Sequence, residues 1–246
     1  MNPLTIYIEN LSLSYGNENI FNNLNLSLPA GRWIGLLGQS GVGKSSLLRL
    51  LAGIQSSKEK ITGRIYANNP IPVRQQIAYM AQTDLLLPWL NVLSNATLSV
   101  KLNHSSQSRA QIDKAKILLQ EVGLGDAMHL FPHQLSGGMR QRVALVRTLV
   151  DEKPIVLMDE PFSAIDAITR FKLQKLATEL LHDKTVLFIT HDPIEALRLA
   201  HDIYIMQSTG LNLVASLSSS APRDLTDPLV LKLQSLLFHE LTEMRT

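Results

Sequence analysis

The sequence predicts an α/β fold: a mostly parallel sheet flanked by helices, an antiparallel β portion at the N-terminus, and an α-helical subdomain insertion. Three observations carry that expectation. Short apolar runs alternate with helical spacing on either side of the insertion, the pattern of buried parallel strands joined by helices. Two stretches near the N-terminus alternate apolar and polar residues, the period of a strand. From about residue 84 to residue 150 strand chemistry lapses and leucine-rich, helix-like spacing replaces it.

Leu4–Leu13 carries Ile6, Ile8, Leu11 and Leu13 among polar residues and predicts a strand bulged near Asn10. Tyr15-Gly16-Asn17 is a turn, and Ile20–Leu28 alternates again. Trp33–Leu37 reads as a buried strand, and Ser45–Ala52 as a helix closed by Gly53. Lys58–Lys60 reads as a charged loop; Ile61–Ala67 and Ile77–Met80 read as strands. Ser108–Val122 has helical spacing, as does the stretch from Ser136 to Val150. Ile155–Glu160 is a strand broken by Pro161, and Thr169–His182 an amphipathic helix with Phe171, Leu173, Leu176 and Leu180 near one face. Thr185–Thr190 is a strand; Asp192-Pro193 then supplies an N-cap and a first-turn proline for a helix to Ala200. Ile203–Met206 and Leu211–Leu217 read as strands, and Pro228–Leu241 as a helix.

The chain has 246 residues, 45% hydrophobic and 18% charged, which suits one large domain with an insertion. The expected organisation is a single domain, 1–246: a nucleotide-binding core at 1–83 and 151–222, a helical subdomain at 84–150, and a C-terminal helix at 223–246. Net charge is +2, so no strong field points to nucleic acid. With no cysteine, disulfides and cysteine–zinc sites are excluded. Met1–Thr5 has neither a basic nor an apolar leader pattern, so no signal peptide is expected. The run Leu85–Leu90 is far short of the roughly 20 residues a spanning helix needs.

Gly38-Gln39-Ser40-Gly41-Val42-Gly43-Lys44-Ser45 fits the phosphate-binding loop G-x-x-x-x-G-K-[ST], between a strand and a helix as the motif requires. Glycines let successive backbone N–H groups turn towards phosphate oxygens, and the new helix aims its positive end at the same anion. Lys44 would reach the β- and γ-phosphates, and the Ser45 hydroxyl would ligate Mg²⁺. Asp159 and Glu160 close an apolar strand, at the strand end where open α/β sheets bind ligands. Asp159 is placed to hold Mg²⁺, and Glu160 to take a proton from an attacking water. Leu135-Ser136-Gly137-Gly138 opens a second helix, with Ser136 as its N-cap, and makes a second anion site. One nucleotide does not need two such sites on one chain; two chains head to tail do.

On these motifs the sequence resembles the ATP-binding subunits of ABC transporters, over almost its whole length. The order is the family's: aromatic Tyr15, P-loop Gly38–Ser45, Gln82, signature Leu135–Gly138, acidic pair Asp159-Glu160, D-loop Ser163-Ala164-Ile165-Asp166, and His191. The resemblance implies the ABC ATPase fold, a P-loop NTPase core with a helical subdomain, and ATP and Mg²⁺ as cofactors. It implies that Tyr15 stacks on adenine and that Ser46 joins the phosphate loop. Gln82 senses the γ-phosphate and Mg²⁺, Glu160 is the general base, and His191 positions the water. Ser136, Gly137 and Gly138 cap the nucleotide of a second copy, and Asp166 crosses that interface. Gln39, Ser46 and Ile165 depart from the residues most frequent there; none removes a reacting group.

Gln82–Val92, with its Leu87-Pro88-Trp89, is similar to the importer ATPases for nitrate, sulfonates, taurine and pyrimidine precursors of thiamine, and Ala78–Gln82 leans towards the last. That resemblance implies a peripheral subunit on the cytoplasmic face of the cell membrane. Its partners are a second copy, a permease that receives the segment after Gln82, and an extracytoplasmic solute-binding protein acting through the permease. Nucleic acid is not an expected partner. The chain is expected to lack the extra β domain of some sugar-importer ATPases. The alternatives are a soluble ABC ATPase acting on nucleic acid or ribosomes, a small-molecule P-loop kinase, which leaves Ser136–Gly138 without a purpose, and an exporter.

Overall fold

In the computed structural model, which describes residues 3–102, 108–207 and 209–243, the strands sort into two sheets. The first is antiparallel. It comprises β1 (Ile6–Tyr15), β2 (Glu18–Leu28) and, after β3 (Trp33–Gly38), β4 (Glu59–Ala67), in the order β2-β1-β4. The second adds to β3 the strands β5 (Ile77–Met80), β6 (Ile155–Asp159), β7 (Thr185–Ile189), β8 (Asp202–Gln207) and β9 (Gly210–Ser216), in the order β5-β6-β7-β3-β8-β9. Its neighbours are parallel except for the β8–β9 edge pair.

The expected bulge in β1 is present. Asn10 sits at φ 50°, and the register with β2 shifts between Ile8 and Leu11. The extra residue keeps Ile6, Ile8, Leu11 and Leu13 on one buried face despite their uneven spacing. Strand β4 corrects the sequence reading twice. It begins at Glu59, inside the expected charged loop, and it pairs with β1, so the antiparallel layer has three strands where two were expected. The charges are accommodated because Glu59 lies opposite Tyr15 and accepts its hydroxyl proton at 2.6 Å.

Helix α1 (Lys44–Leu51) lies between the sheets. Its Leu47 and Leu48 share one apolar cluster with Ile6 and Leu28 of the first sheet and Ile34 and Leu157 of the second. The other face of the parallel sheet, including Val156, Met158 and Phe188, packs into a second cluster. That cluster is built with α2 (Val92–Ala96), α3 (Leu98–Leu102), α4 (Ser108–Glu121), α5 (Gly137–Val150), α6 (Ala167–Leu180), α7 (Pro193–Leu199) and α8 (Pro228–Glu243). Strand β6 is therefore buried on both faces, which is why Ile155–Met158 is continuously apolar.

The helical segment expected from residue 84 starts its helices only at Val92. Pro88 disfavours helix before it, and Asn91 caps α2 by accepting the Ser94 N–H at 2.9 Å. Helix α6 begins and ends two residues earlier than expected because Asp166 is its N-cap, accepting the Thr169 N–H at 3.0 Å. Helix α7 has the expected Asp192 cap and first-turn Pro193.

Candidate active site

The loop between β3 and α1 folds as its glycines dictate. Gly38, Gly41 and Gly43 have φ of 142°, 86° and 102°. A Cβ on Gly38 would strike the Met206 carbonyl oxygen, and one on Gly43 would lie 2.6 Å from Ile20 Cγ2. Both positions therefore exclude side chains sterically as well as conformationally. The N-cap of α1 is Gly43, which has no side chain to accept an N–H of the first turn.

Lys44 Nζ donates to the carbonyls of Gly38 at 2.8 Å and Gln39 at 2.7 Å. Burial lowers its pKa, opposed by the nearby Glu160 and Asp159 carboxylates. Asp159, at the end of β6, has its pKa raised by burial, against a hydrogen bond from the Ser45 hydroxyl that favours its ionised form. Ser40, Gly41, Gly43, Lys44, Ser45 and Ser46 surround a cavity of about 310 Å³, whose far wall is Gln82, Asp159 and Glu160. One concave space thus holds a cation, hydroxyls, carboxylates and an amide, a constellation suited to phosphate.

Glu160 sits at φ 49° immediately past β6, its N–H bonded to the Ile189 carbonyl at 3.0 Å. Its Oε2 lies 3.4 Å from His191 Nδ1. The strained turn aims the carboxylate away from the buried strand and towards the cavity.

Not every expected residue meets there. Gly38 and Gln39 act on Lys44 through their carbonyls, while Val42 packs into the core beside α1. Tyr15 is not part of the cavity wall; its hydroxyl donates to Glu59 and accepts from Arg49 at 2.7 Å. Ser136, Gly137 and Gly138 are outside the cavity too, at the start of α5, where Ser136 Oγ accepts the Met139 N–H at 3.3 Å. Asp166 caps its own helix.

Sequence reasoning gave no role to three groups that the structure makes central. Ile20 and Ile189 are the apolar part of the cavity wall. Gln141 of α5 ties that helix to the turn after β6: its Nε2 donates to the Glu160 carbonyl at 2.8 Å, and its Oε1 accepts the Ala164 N–H at 2.8 Å. Arg140 and Arg147 of α5 clamp the segment after Gln82. Arg140 Nε pairs with Asp84 Oδ2 at 3.0 Å, and Arg147 donates to the carbonyls of Asp84 and Leu85 at 2.7 and 2.9 Å. Gln141, three residues past the signature Leu135–Gly138, was a signal available in the sequence; bonds to main-chain carbonyls leave no sequence pattern.

Residues 21–163 match the family model for ABC transporter. The chain is 44% identical over 241 residues to an uncharacterized ABC transporter ATP-binding protein of Haemophilus influenzae, covering 96% of this chain and 98% of that one. It is 38% identical over 229 residues to the aliphatic sulfonates import ATP-binding protein SsuB 2 of Rhodococcus jostii, covering 92% and 88%. Among solved structures it is similar to the cassette MJ0796 in a dimeric post-hydrolysis state bound to ADP and Pi, with a TM-score of 0.75 and 28% identity over 87% of this chain and 99% of that one.

Proposed function

The chain belongs to the ABC transporter ATP-binding family and is an ATPase; from that premise we propose that it energises a bacterial importer of the nitrate, sulfonate and taurine type. One observation carries the catalytic half of the reading. The chain builds two glycine-rich helix starts, and one of them opens into the cavity shared with Lys44, Asp159 and Glu160.

In this reading Gly38–Ser46 wrap the ATP phosphates, and Lys44 leaves the Gly38 and Gln39 carbonyls for the β- and γ-phosphates. Tyr15 stacks on adenine, its hydroxyl already fixed by Glu59 and Arg49. Among the described residues no cluster of three acids or histidines forms a metal site by itself. That suits Mg²⁺, which binds through one or two carboxylates together with substrate phosphates. Ser45, Gln82 and Asp159 would hold it, and when bound it neutralises charge on the phosphate oxygens. Glu160 takes the proton from water, and His191 orients that water. Ser136, Gly137 and Gly138 bring N–H donors to the γ-phosphate held by a second copy, and Asp166 crosses the same interface. The MJ0796 cassette supports this arrangement, being dimeric with ADP and Pi bound.

The importer half rests on relatives named for aliphatic sulfonate import. Among the described residues no helix is long and apolar enough to cross a membrane; in this reading a permease supplies the path. The helical subdomain at 84–150 is where we place its docking. Trp89 is 70% exposed, and Leu85 lines a groove of about 280 Å³ with Leu98, Leu102 and Arg147. The chain then works on the cytoplasmic face, and a solute-binding protein outside delivers a small solute, a sulfonate or a pyrimidine precursor of thiamine.

The test is co-purification of the tagged chain from detergent-solubilised membranes. The expected companion is a multi-span permease, whose paired binding protein is then screened against sulfonates, taurine, nitrate and pyrimidines. Recovery with ribosomes or DNA and no membrane protein would overturn the transport reading in favour of a soluble ABC ATPase.

A further inference from the structure

Behind His191 lies a buried polar cluster that the proposed chemistry does not use. Glu195, in the first turn of α7, is 6% exposed. Its Oε1 accepts from Gln174 Nε2 of α6 at 3.0 Å, and its carboxyl is hydrogen-bonded by the side chain of Thr190. Thr190 Oγ1 in turn accepts the Asp192 N–H at 3.1 Å, so the bonds flank His191 on both sides. A second link runs parallel. Arg170 of α6 donates to the Ile165 carbonyl at 2.9 Å and lies 3.8 Å from Asp192 Oδ2. A small enclosed cavity of about 30 Å³ joins Glu195 to the reaction centre; Glu160, Ser163, Thr190 and His191 are among its walls.

A carboxyl in such a place is costly. Burial disfavours its ionised form and raises its pKa, and the Thr190 and Gln174 bonds offset only part of that. We propose that Glu195 is a positioning residue for His191: it ties α6, the helix that Asp166 starts, to the loop carrying His191, and so fixes the imidazole against Glu160. Movement of the D-loop at a dimer interface is then passed to His191 through Gln174 and Glu195. The inference rests on the roles proposed above for Glu160 and His191.

The test uses the full chain with His191→Ala, Glu195→Ala, Glu195→Gln and the double variant Glu195→Ala/His191→Ala. A misplaced reacting group costs about tenfold to a hundredfold in rate, so His191→Ala and Glu195→Ala should each lower kcat at least about tenfold while ATP affinity stays within about twofold. The double variant should be no slower than His191→Ala alone, because residues acting as one unit are not additive. Glu195→Gln keeps an acceptor for Gln174 and should restore most of the rate. Wild-type kcat in Glu195→Ala, additive losses in the double variant, or a Glu195→Gln as slow as the alanine variant would each overturn the inference. If Glu195→Ala does not fold, Gln174→Ala cuts the same link from α6 and must lower kcat only when His191 is present. An unchanged kcat in His191→Ala would instead sink the site reading itself.

Discussion

Helix α1 starts at Lys44 behind Gly41 and Gly43, and helix α5 starts at Gly137 behind Ser136. At α1 the N-cap is Gly43, with no side chain to accept an N–H, whereas at α5 Ser136 accepts the Met139 N–H. The α1 start faces Lys44, Ser45, Asp159, Glu160 and Gln82 across one cavity. The α5 start meets main chain: a Cβ on Gly138 would lie 2.9 Å from the Ala164 carbonyl, and Arg140 turns back to Leu135 and Asp84. Both ends carry the helix dipole and glycines. One adds a cation, a hydroxyl and a base; the other adds N–H donors and the Ser136 hydroxyl. A helix start equipped in the second way can complete a phosphate site but cannot constitute one.

The sharpest way to break that comparison is complementation. Lys44→Ala disables the equipped end. Gly137→Asp disables the other, and a Cβ there meets nothing nearer than Arg140 at 3.9 Å, so the fold should tolerate it. An acid in the first turn even favours the helix while repelling phosphate. Losing preorganised phosphate donors costs about a hundredfold or more, so each variant alone should be close to inactive. In a two-fold dimer of one chain of each kind, one composite site takes both defects and the other takes none. Mixing the two inactive proteins should therefore restore ATP turnover. A mixture as inactive as its parts would mean that the start of α5 does not act on the partner's nucleotide.

How much of this was legible differs between the same two ends. The α1 end reads directly, because its demands are local: three glycines at positive φ and a lysine within one loop. The parallel strands read as well, since burial on both faces leaves unbroken apolar runs such as Ile155–Met158. At the α5 end the motif reads but its surroundings do not. Gln141 works through the Glu160 carbonyl and the Ala164 N–H, groups every residue carries, so no pattern marks the contact. Strand β4 was misplaced for a related reason. Its partner β1 is distant in sequence, and the pairing of Tyr15 with Glu59 is tertiary.

Gln141→Ala sharpens the comparison by cutting the tie between α5 and the turn that carries Glu160. The side chain is buried, and its loss leaves the Ala164 N–H without that acceptor and the Glu160 carbonyl without that donor. Ala164 is exposed and the Glu160 carbonyl keeps the Ser163 hydroxyl, so each lost bond costs only about 0.5–1.5 kcal/mol, which urea unfolding would read. Because the Glu160 turn is loosened while the Lys44 loop is untouched, kcat should fall by more than KM changes. A fall in ATP affinity with normal kcat would show that Gln141 supports nucleotide binding rather than the Glu160 turn.

The smallest effect is expected where α5 grips the segment after Gln82. Asp84 and Arg140 form a 3.0 Å ion pair, but their side chains are 31% and 36% exposed. Pairs this open to water contribute about 0.2–1 kcal/mol, less as salt rises. The two single variants should nevertheless differ. Arg140→Ala also loses the bond to the Leu135 carbonyl at 2.9 Å, just before Ser136, whereas Asp84→Ala loses the Leu86 N–H contact at 3.2 Å. Asp84→Ala keeps the hydrogen bonds of Arg147, which go to main-chain carbonyls, and removes only the charge attraction of the Asp84 carboxylate for it. A double-mutant cycle on unfolding should thus give a coupling below about 1 kcal/mol that shrinks in high salt. A salt-insensitive coupling above about 2 kcal/mol would mean that the pair is desolvated in a closed form of the protein, and that this clamp, not the Gln141 bridge, fixes the start of α5 against the core.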